Sequence, residues 1–299
     1  MSLEDFIITV YCLVADIYDQ LPDTGQFRSR GFAPALSDGE VITMEIIGEF
    51  LGIDADKAIC HYFKSHWMQW FPGLGSRQNF AKQAASLWNV KQRIQQQEAN
   101  QLHATHDKIH MADGFPVPIC HFKRASSSQL FKGTADYGFC ASKEETYYGF
   151  KGNLMISSEG VITGITLSAA NVDERVSLWD ITDNISGLVL ADKGLIGDDL
   201  QQELKAHGNI DLQTPVRKNM PDTRGKDAQP WLISTRRLVE TVIGQLTEQF
   251  NIQKVRARSL WHLTNRITRK VLSHTVAVMI NKSLGNPPLQ LEKLGLIKS

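Results

Sequence analysis

From about residue 106 the hydrophobic pattern changes period, and this change constrains the fold more than any other feature of the chain. "KIHMADG" places Ile109, Met111 and Asp113 on one side and His110 and Ala112 on the other, the period of two that a strand requires. "YYGFKGNLMIS", the turn "SEG" and "VITGITLS" predict the two strands of a hairpin. "NVDERVSLWDITDNI" predicts a helix capped by Asp173, and "GLVLADKGLIG" a short strand that is apolar on both faces. "DDLQQELKAHG" follows as a helix closed by Gly208, then "IDLQTPV" as a strand. A long loop over 217–234 leads to the helix "TRRLVETVIGQLTEQF". The order β-β-β-α-β-α-β-α predicts an α/β fold, a mixed sheet flanked by helices.

The first hundred residues keep a helical period throughout. "LEDFIITVYCLVADIYDQL" spaces Leu3, Phe6, Ile7, Val10, Leu13, Val14 and Ile17 along one face. "LSDGEVITMEIIGEFLG" opens with Ser37 three residues before Glu40, a capping-box pattern, and stops at Gly52. "DADKAICHYFKSHW" restarts a helix after a very short turn. "SRQNFAKQAASLWNVKQRIQQQ" adds a third helix carrying Arg77, Gln78, Asn79, Lys82 and Gln83. Helix, tight turn, helix and a polar third helix match a helix-turn-helix reader of duplex DNA, although a packed bundle has the same pattern.

The 299 residues suffice for an α/β domain and a smaller companion. Cys12, Cys60, Cys120 and Cys140 lie far apart without Cys-x-x-Cys spacing, which argues against a zinc ribbon or a disulfide framework and suits a reducing compartment. The longest apolar run, "FIITVYCLVA", is too short to span a bilayer and follows Glu4 and Asp5 instead of a basic segment, so a cytoplasmic protein is expected. Net charge is zero, but as a sum of opposites. Residues 1–56 hold eleven acidic side chains against Arg28 and Arg30, and residues 251–282 hold seven Lys and Arg with no acid. The basic stretch suggests a polyanion partner, with Arg258, Arg266, Arg269 and Lys270 turned toward a phosphate backbone; a solvated helix face is the plainer alternative. Trp231 and Trp261 offer rings for stacking on exposed bases or for a core.

Three acids stand where a neutral residue is expected. Asp113 is expected to end its strand beside Gly114, Asp192 to end another beside Lys193 and Gly194, and Glu240 sits between Val239 and Val242 in an amphipathic helix. Each has an ordinary use: capping a turn, beginning one, or pairing with Arg236 one helical turn earlier. In a sheet of this order, however, strand ends gather residues into one crevice. Converging carboxylates repel unless a positive charge lies among them, and hard oxygens suit Mg2+ or Mn2+. Two such ions can drive in-line displacement at phosphorus.

"MADGFPVPI", "YYGFKGNLMI", "LSAANVDER", "LADKGLIG" and "RRLVETVIGQL" together resemble the catalytic domain of bacterial insertion-sequence DDE transposases, a ribonuclease-H-like fold. "LSDGEVITMEIIGEFLGI" extends the resemblance through nearly the whole chain, toward the nine-eighty-two family of insertion sequences. It implies Asp113, Asp192 and Glu240 as the first, second and third acids, with Mg2+ as cofactor, Mn2+ substituting, and two ions expected. It also implies DNA cutting at the element's terminal inverted repeats and joining of the freed 3′-hydroxyl to a target duplex. Related enzymes often place Tyr seven residues before the Glu, Arg four before and Lys seven after; this chain has Ile233, Arg236 and Thr247, retaining only the Arg. Asn153 stands where His is common, beside Lys151 as a phosphate contact.

These readings predict a helical DNA-binding domain over 1–105, a ribonuclease-H-like catalytic domain over 106–282 and a tail over 283–299. Expected DNA contacts are Arg77, Lys82, Lys151, Arg217, Lys218, Arg236, Arg237, Arg256 and Arg258. Pairing of two ends implies a homodimer. A DNA-binding regulator without the chemistry and a stand-alone nuclease of the same fold are the alternatives. His103, His106 and His110 have helical spacing that can ligate zinc, but a strand starting near Lys108 would break that face. No Walker loop, Gly-x-Ser-x-Gly or dinucleotide fingerprint occurs.

Overall fold

A computed structural model describes residues 1–22, 33–216, 219, 220, 222 and 224–295. Arg217 and Lys218 lie outside the described residues. The chain divides into two compact units: Met1–Glu98 with Glu248–Ile252 and Ala257–Ser299, and Ala99–Thr247 with Gln253–Arg256. The last long helix falls in the same unit as the first hundred residues.

In the first unit, α1 (Leu3–Gln20) is capped by the Ser2 side chain and buries Phe6, Ile7, Val10, Val14 and Ile17 at helical spacing. The predicted capping box starts α2 (Asp38–Phe50), with Ser37 accepting from the Glu40 N–H and Glu40 accepting from the Ser37 N–H. Every residue of α2 from Val41 to Phe50 is buried, including Glu45 and Glu49. Around it stand α3 (Asp56–His66), α4 (Arg77–Ser86), α5 (Trp88–Gln101) and α10 (Leu260–Ser283), and α10 packs against both α2 and α4.

The two buried glutamates of α2 explain the acidic and basic ends of the sequence. Arg269 is fully buried and bridges Glu45, Glu49 and Asp56, and also donates to the Asp54 carbonyl. Lys270, also buried, reaches Glu49 at 2.7 Å, and Lys91 of α5 pairs with Glu45 and Asn265. Arg266 is half-buried against Asp56 at 2.9 Å. The expected outward display of Arg266, Arg269 and Lys270 is therefore corrected. A buried guanidinium without carboxylates is too costly to retain, so these bases are consumed by the acids of α2 and the turn after it.

In the second unit, β1 (Ile109–His121) runs eight residues beyond Asp113, so Asp113 lies within the strand and not at its end. The helix α6 (Phe122–Ala125) follows, then β2 (Asp136–Cys140), β3 (Glu145–Ser157), β4 (Ile162–Ala169), α7 (Glu174–Thr182), β5 (Gly187–Leu190), α8 (Asp198–Gly208), β6 (Ile210–Gln213) and α9 (Ala228–Glu248). The sheet order is β2-β3-β1-β5-β6, with β4 sharing the β2 edge of β3. β1 and β3 are antiparallel; β5 and β6 run parallel to β1. A mixed sheet flanked by helices fits a ribonuclease-H-like domain. The short β2 had no expectation in the sequence: it is an edge strand whose Tyr137 and Phe139 are exposed, so its apolar residues mark no core face.

Alternation along β1 and β3 sends Ala112 and Met155 into one core with Leu178 and Ile181 of α7, Leu200 and Leu204 of α8, and Val189 and Ala191 at β5. Asp113 necessarily faces the opposite side. Gly187 starts β5 with φ of +98°, and a Cβ there would lie 2.7 Å from the Lys108 carbonyl oxygen, so only glycine allows β5 this close to the start of β1.

Candidate active site

Register brings the first two acids together. Met111 of β1 pairs with Leu190, the last residue of β5. Two residues farther along each chain are Asp113, still in β1, and Asp192, just past the end of β5. Where β5 stops, β1 has lost its neighbour, and the gap is the crevice in which side chains from both chains can meet. Asp192 is extended and opens the turn Lys193–Leu195, but its side chain makes no capping bond and remains exposed. Asp113 is half-buried, and its Oδ1 accepts the Gly114 N–H at 2.9 Å.

The third acid arrives on α9. That helix buries Leu232, Val239, Val242 and Leu246 along one stripe, which leaves Arg236 and Glu240, one turn apart, at the border of the stripe. The Arg236 guanidinium donates to Asp113 Oδ2 at 2.9 Å and to Glu240 Oε1 at 2.9 Å, and stands 3.7 Å from Asp192 Oδ1. The three acids singled out in the sequence thus meet on one cation, supplied by a strand, a strand exit and a helix. Burial pushes the Asp113 carboxyl up from its ordinary value. Arg236 and the Gly114 N–H pull it down, and the nearby Asp192 and Glu240 carboxylates push it up again.

Lys151 of β3 forms an ion pair with Glu174 at 3.2 Å, and Glu174 lines a small cavity with Asp113 and Asp192. Glu174 carried no expectation, because an acid in the first turn of a capped helix has the ordinary use of complementing the helix dipole. Of the expected DNA contacts, Arg77, Lys82, Arg237, Arg256 and Arg258 are exposed and Arg236 half-buried. Trp231 and Trp261 are also exposed. Gln83 of α4 is taken up internally, donating to the Leu36 carbonyl and to Asp38. His103, His106 and His110 share no helix: Ala104–His106 is a single tight turn, and His110 is buried in β1 against the Ala104 carbonyl.

The site is thus a strand aspartate, an aspartate at the exit of its parallel neighbour and a helical glutamate, converged on an arginine in a mixed sheet. Residues 103–260, more than half the chain, match the model of the transposase DDE domain, and the chain belongs to that family of DDE transposases. No curated protein and no solved structure matches it. Family membership carries transposase function in general, a nuclease or transferase class of enzyme, and DNA as a partner. No helix among the described residues is long and apolar enough to cross a membrane.

DDE transposases generally use divalent metal ions, and the donors here fit one: three carboxylates of hard oxygen, two of them half open to solvent. Among the described residues, no group of three or more His, Cys, Asp and Glu side chains is arranged as a ready cage. The guanidinium of Arg236 lies where the three carboxylates converge.

Proposed function

We propose that this transposase cuts DNA at the terminal inverted repeats of an insertion sequence and joins the freed 3′-hydroxyl to a target duplex, with Asp113, Asp192 and Glu240 holding Mg2+. The observation that carries this is the convergence of these three carboxylates on Arg236. A pair of divalent ions, Mg2+ or Mn2+, would activate the attacking oxygen and steady the oxygen leaving phosphorus.

The chain's own residues have definable parts in this. β1 and the Gly114 N–H fix Asp113, and Arg236 opposes its protonation in a site where burial favours it. Arg236 can exchange its carboxylates for phosphate oxygens, which a guanidinium binds equally well as a two-pronged donor. Lys151 adds a point charge on the β3 side. In the first unit the exposed Arg77 and Lys82 of α4 suit contact with duplex DNA. A homodimer would present two sites to two ends.

Asp192→Asn tests the reading. Its nicking of end-containing DNA in Mg2+ is expected to be lost while binding to the ends persists; near-normal nicking would make the assignment wrong. A strand-transfer assay separates the transposase from a nuclease without a joining step and from a regulator without chemistry, and a footprint on terminal repeats separates specific from general binding.

A further inference from the structure

A fourth acid reaches the same crevice from the other side of the sheet. Glu174 opens α7, and its two oxygens lie against the glycines that follow the two aspartates. A Cβ on Gly114 would be 3.4 Å from Glu174 Oε1, and one on Gly194 would be 3.3 Å from Oε2. A Cβ at Gly114 would just touch this carboxylate, and one at Gly194 would press on it slightly. Between them is a cavity of about 20 Å³ lined by Asp113, Gly114, Asn153, Glu174 and Asp192 among others, enough for one water-sized occupant.

Asn153 makes the cavity a candidate for a ligand. It lies on β3 opposite Gly114, is 6% exposed, and its Oδ1 would be 3.4 Å from a Gly114 Cβ. Its Nδ2 is buried without a hydrogen-bond partner. A buried amide donor left unpaired is costly, so native structures rarely keep one without a use. An occupant must therefore offer an oxygen lone pair to Asn153 while tolerating a carboxylate. A cation with its own bound water meets both demands: Mg2+-type ions take one or two carboxylates and keep several waters.

We propose that Glu174 is a fourth metal-holding carboxylate, binding a divalent cation at the mouth of this cavity beside Asp113 and Asp192, with one cation-bound water filling the cavity and oriented by Asn153. Lys151 is the side chain that Glu174 gives up on binding the cation, which frees its ammonium for a phosphate oxygen. The inference rests on the reading of Asp113, Asp192 and Glu240 as cation-holding. The ordinary alternative is an ion pair that merely anchors the start of α7.

The test is Mn2+ titration of the full-length protein, followed by electron paramagnetic resonance. Wild type is expected to bind two Mn2+. Glu174→Gln should weaken one of the two by about tenfold or more and leave the other, and Lys151→Ala should tighten the weakened one's wild-type counterpart, since it removes the competing cation. Equal stoichiometry and affinity in Glu174→Gln and wild type would overturn the proposal. Asn153→Asp provides a second variant that adds an oxygen to the cavity: tighter Mn2+ binding supports the proposal and unchanged binding counts against it. Asp113→Asn separates the two levels. If it binds Mn2+ as wild type does while Glu174→Gln does not, the three-acid reading fails and the Glu174 site stands.

Discussion

Among the described residues an arginine meets three carboxylates at two places, with opposite consequences. In the helical unit, Arg269 joins Glu45, Glu49 and Asp56, and Lys91, Lys270 and Arg266 complete the set, so that three acids meet four bases, most of them fully buried. In the sheet unit, Arg236 alone joins Asp113, Asp192 and Glu240, and the last two are about half exposed. In the first set every acid has at least one basic partner and the cluster is largely buried, so no carboxylate is left over to bind anything else. The second has an excess of acid at the solvent border, which is the state a divalent cation or a phosphate-bound arginine can exploit. Charge pairing alone does not mark a site. Imbalance together with access does.

The largest test of this contrast is removal of each arginine. Arg269→Ala leaves three acids buried without their shared partner and should cost about 3–5 kcal/mol of stability, read from urea unfolding. Arg236→Ala strips a border pair and should cost about 1 kcal/mol or less. Equal losses would erase the distinction between a structural and a functional cluster.

pH sharpens the contrast, because the two clusters shift carboxyls in opposite directions. Burial is the largest influence on Asp56 and pushes it up, but Arg269 and Arg266 together outweigh it and hold the carboxyl below its ordinary value. Its contribution to stability is present above the unfolded value and is lost as pH falls through the folded one. Asp113 is raised, so its contribution is full below the unfolded value and is lost as pH rises through the folded one. At neutral pH, Asp56→Asn should therefore destabilise, and Asp113→Asn should not. Mn2+ affinity should be lost as pH falls, at a higher pH than for an ordinary aspartate, and Arg236→Gln should move that limb still higher. A limb that stays put would mean that Arg236 does not govern the ionisation of Asp113.

The smallest effect belongs to Glu98 of α5. Both of its carboxyl oxygens are buried without partners, and burial pushes its pKa well above the ordinary value. Burial without partners disfavours its charged form, so Glu98→Gln should change stability by no more than about 0.5–1 kcal/mol near neutrality. The wild type should lose stability as pH rises through the raised value, and the variant should not; parallel pH profiles would show that Glu98 is ionised.

Much of the architecture was legible because it is local. The capping box at Ser37, the face of α1, the strand periods of β1, β3 and β4 and the oddity of each of the three acids follow from neighbours within a few residues. Less local features were misread or missed. Asp113 looked like a strand end because Gly114 follows it, whereas β1 continues and it is β5 that stops. β2 was missed because an edge strand buries no continuous face. Glu174 was hidden by the ordinary expectation for a helix's first turn.

What the sequence determined by itself was the inventory: the element order, the three acids in their motifs, the arginine one turn before Glu240, and opposite charges concentrated at the two ends of the chain. Tertiary structure decided which of those charges meet. Glu49 and Arg269 are far apart in the chain and are in contact in the fold, so bases that looked available for DNA are spent internally. Asp113, Asp192 and Glu240 are brought together only because a parallel register aligns two strands and one of them ends early. Electrostatic energy depends on distance and on the surrounding medium, and neither is written in the order of residues.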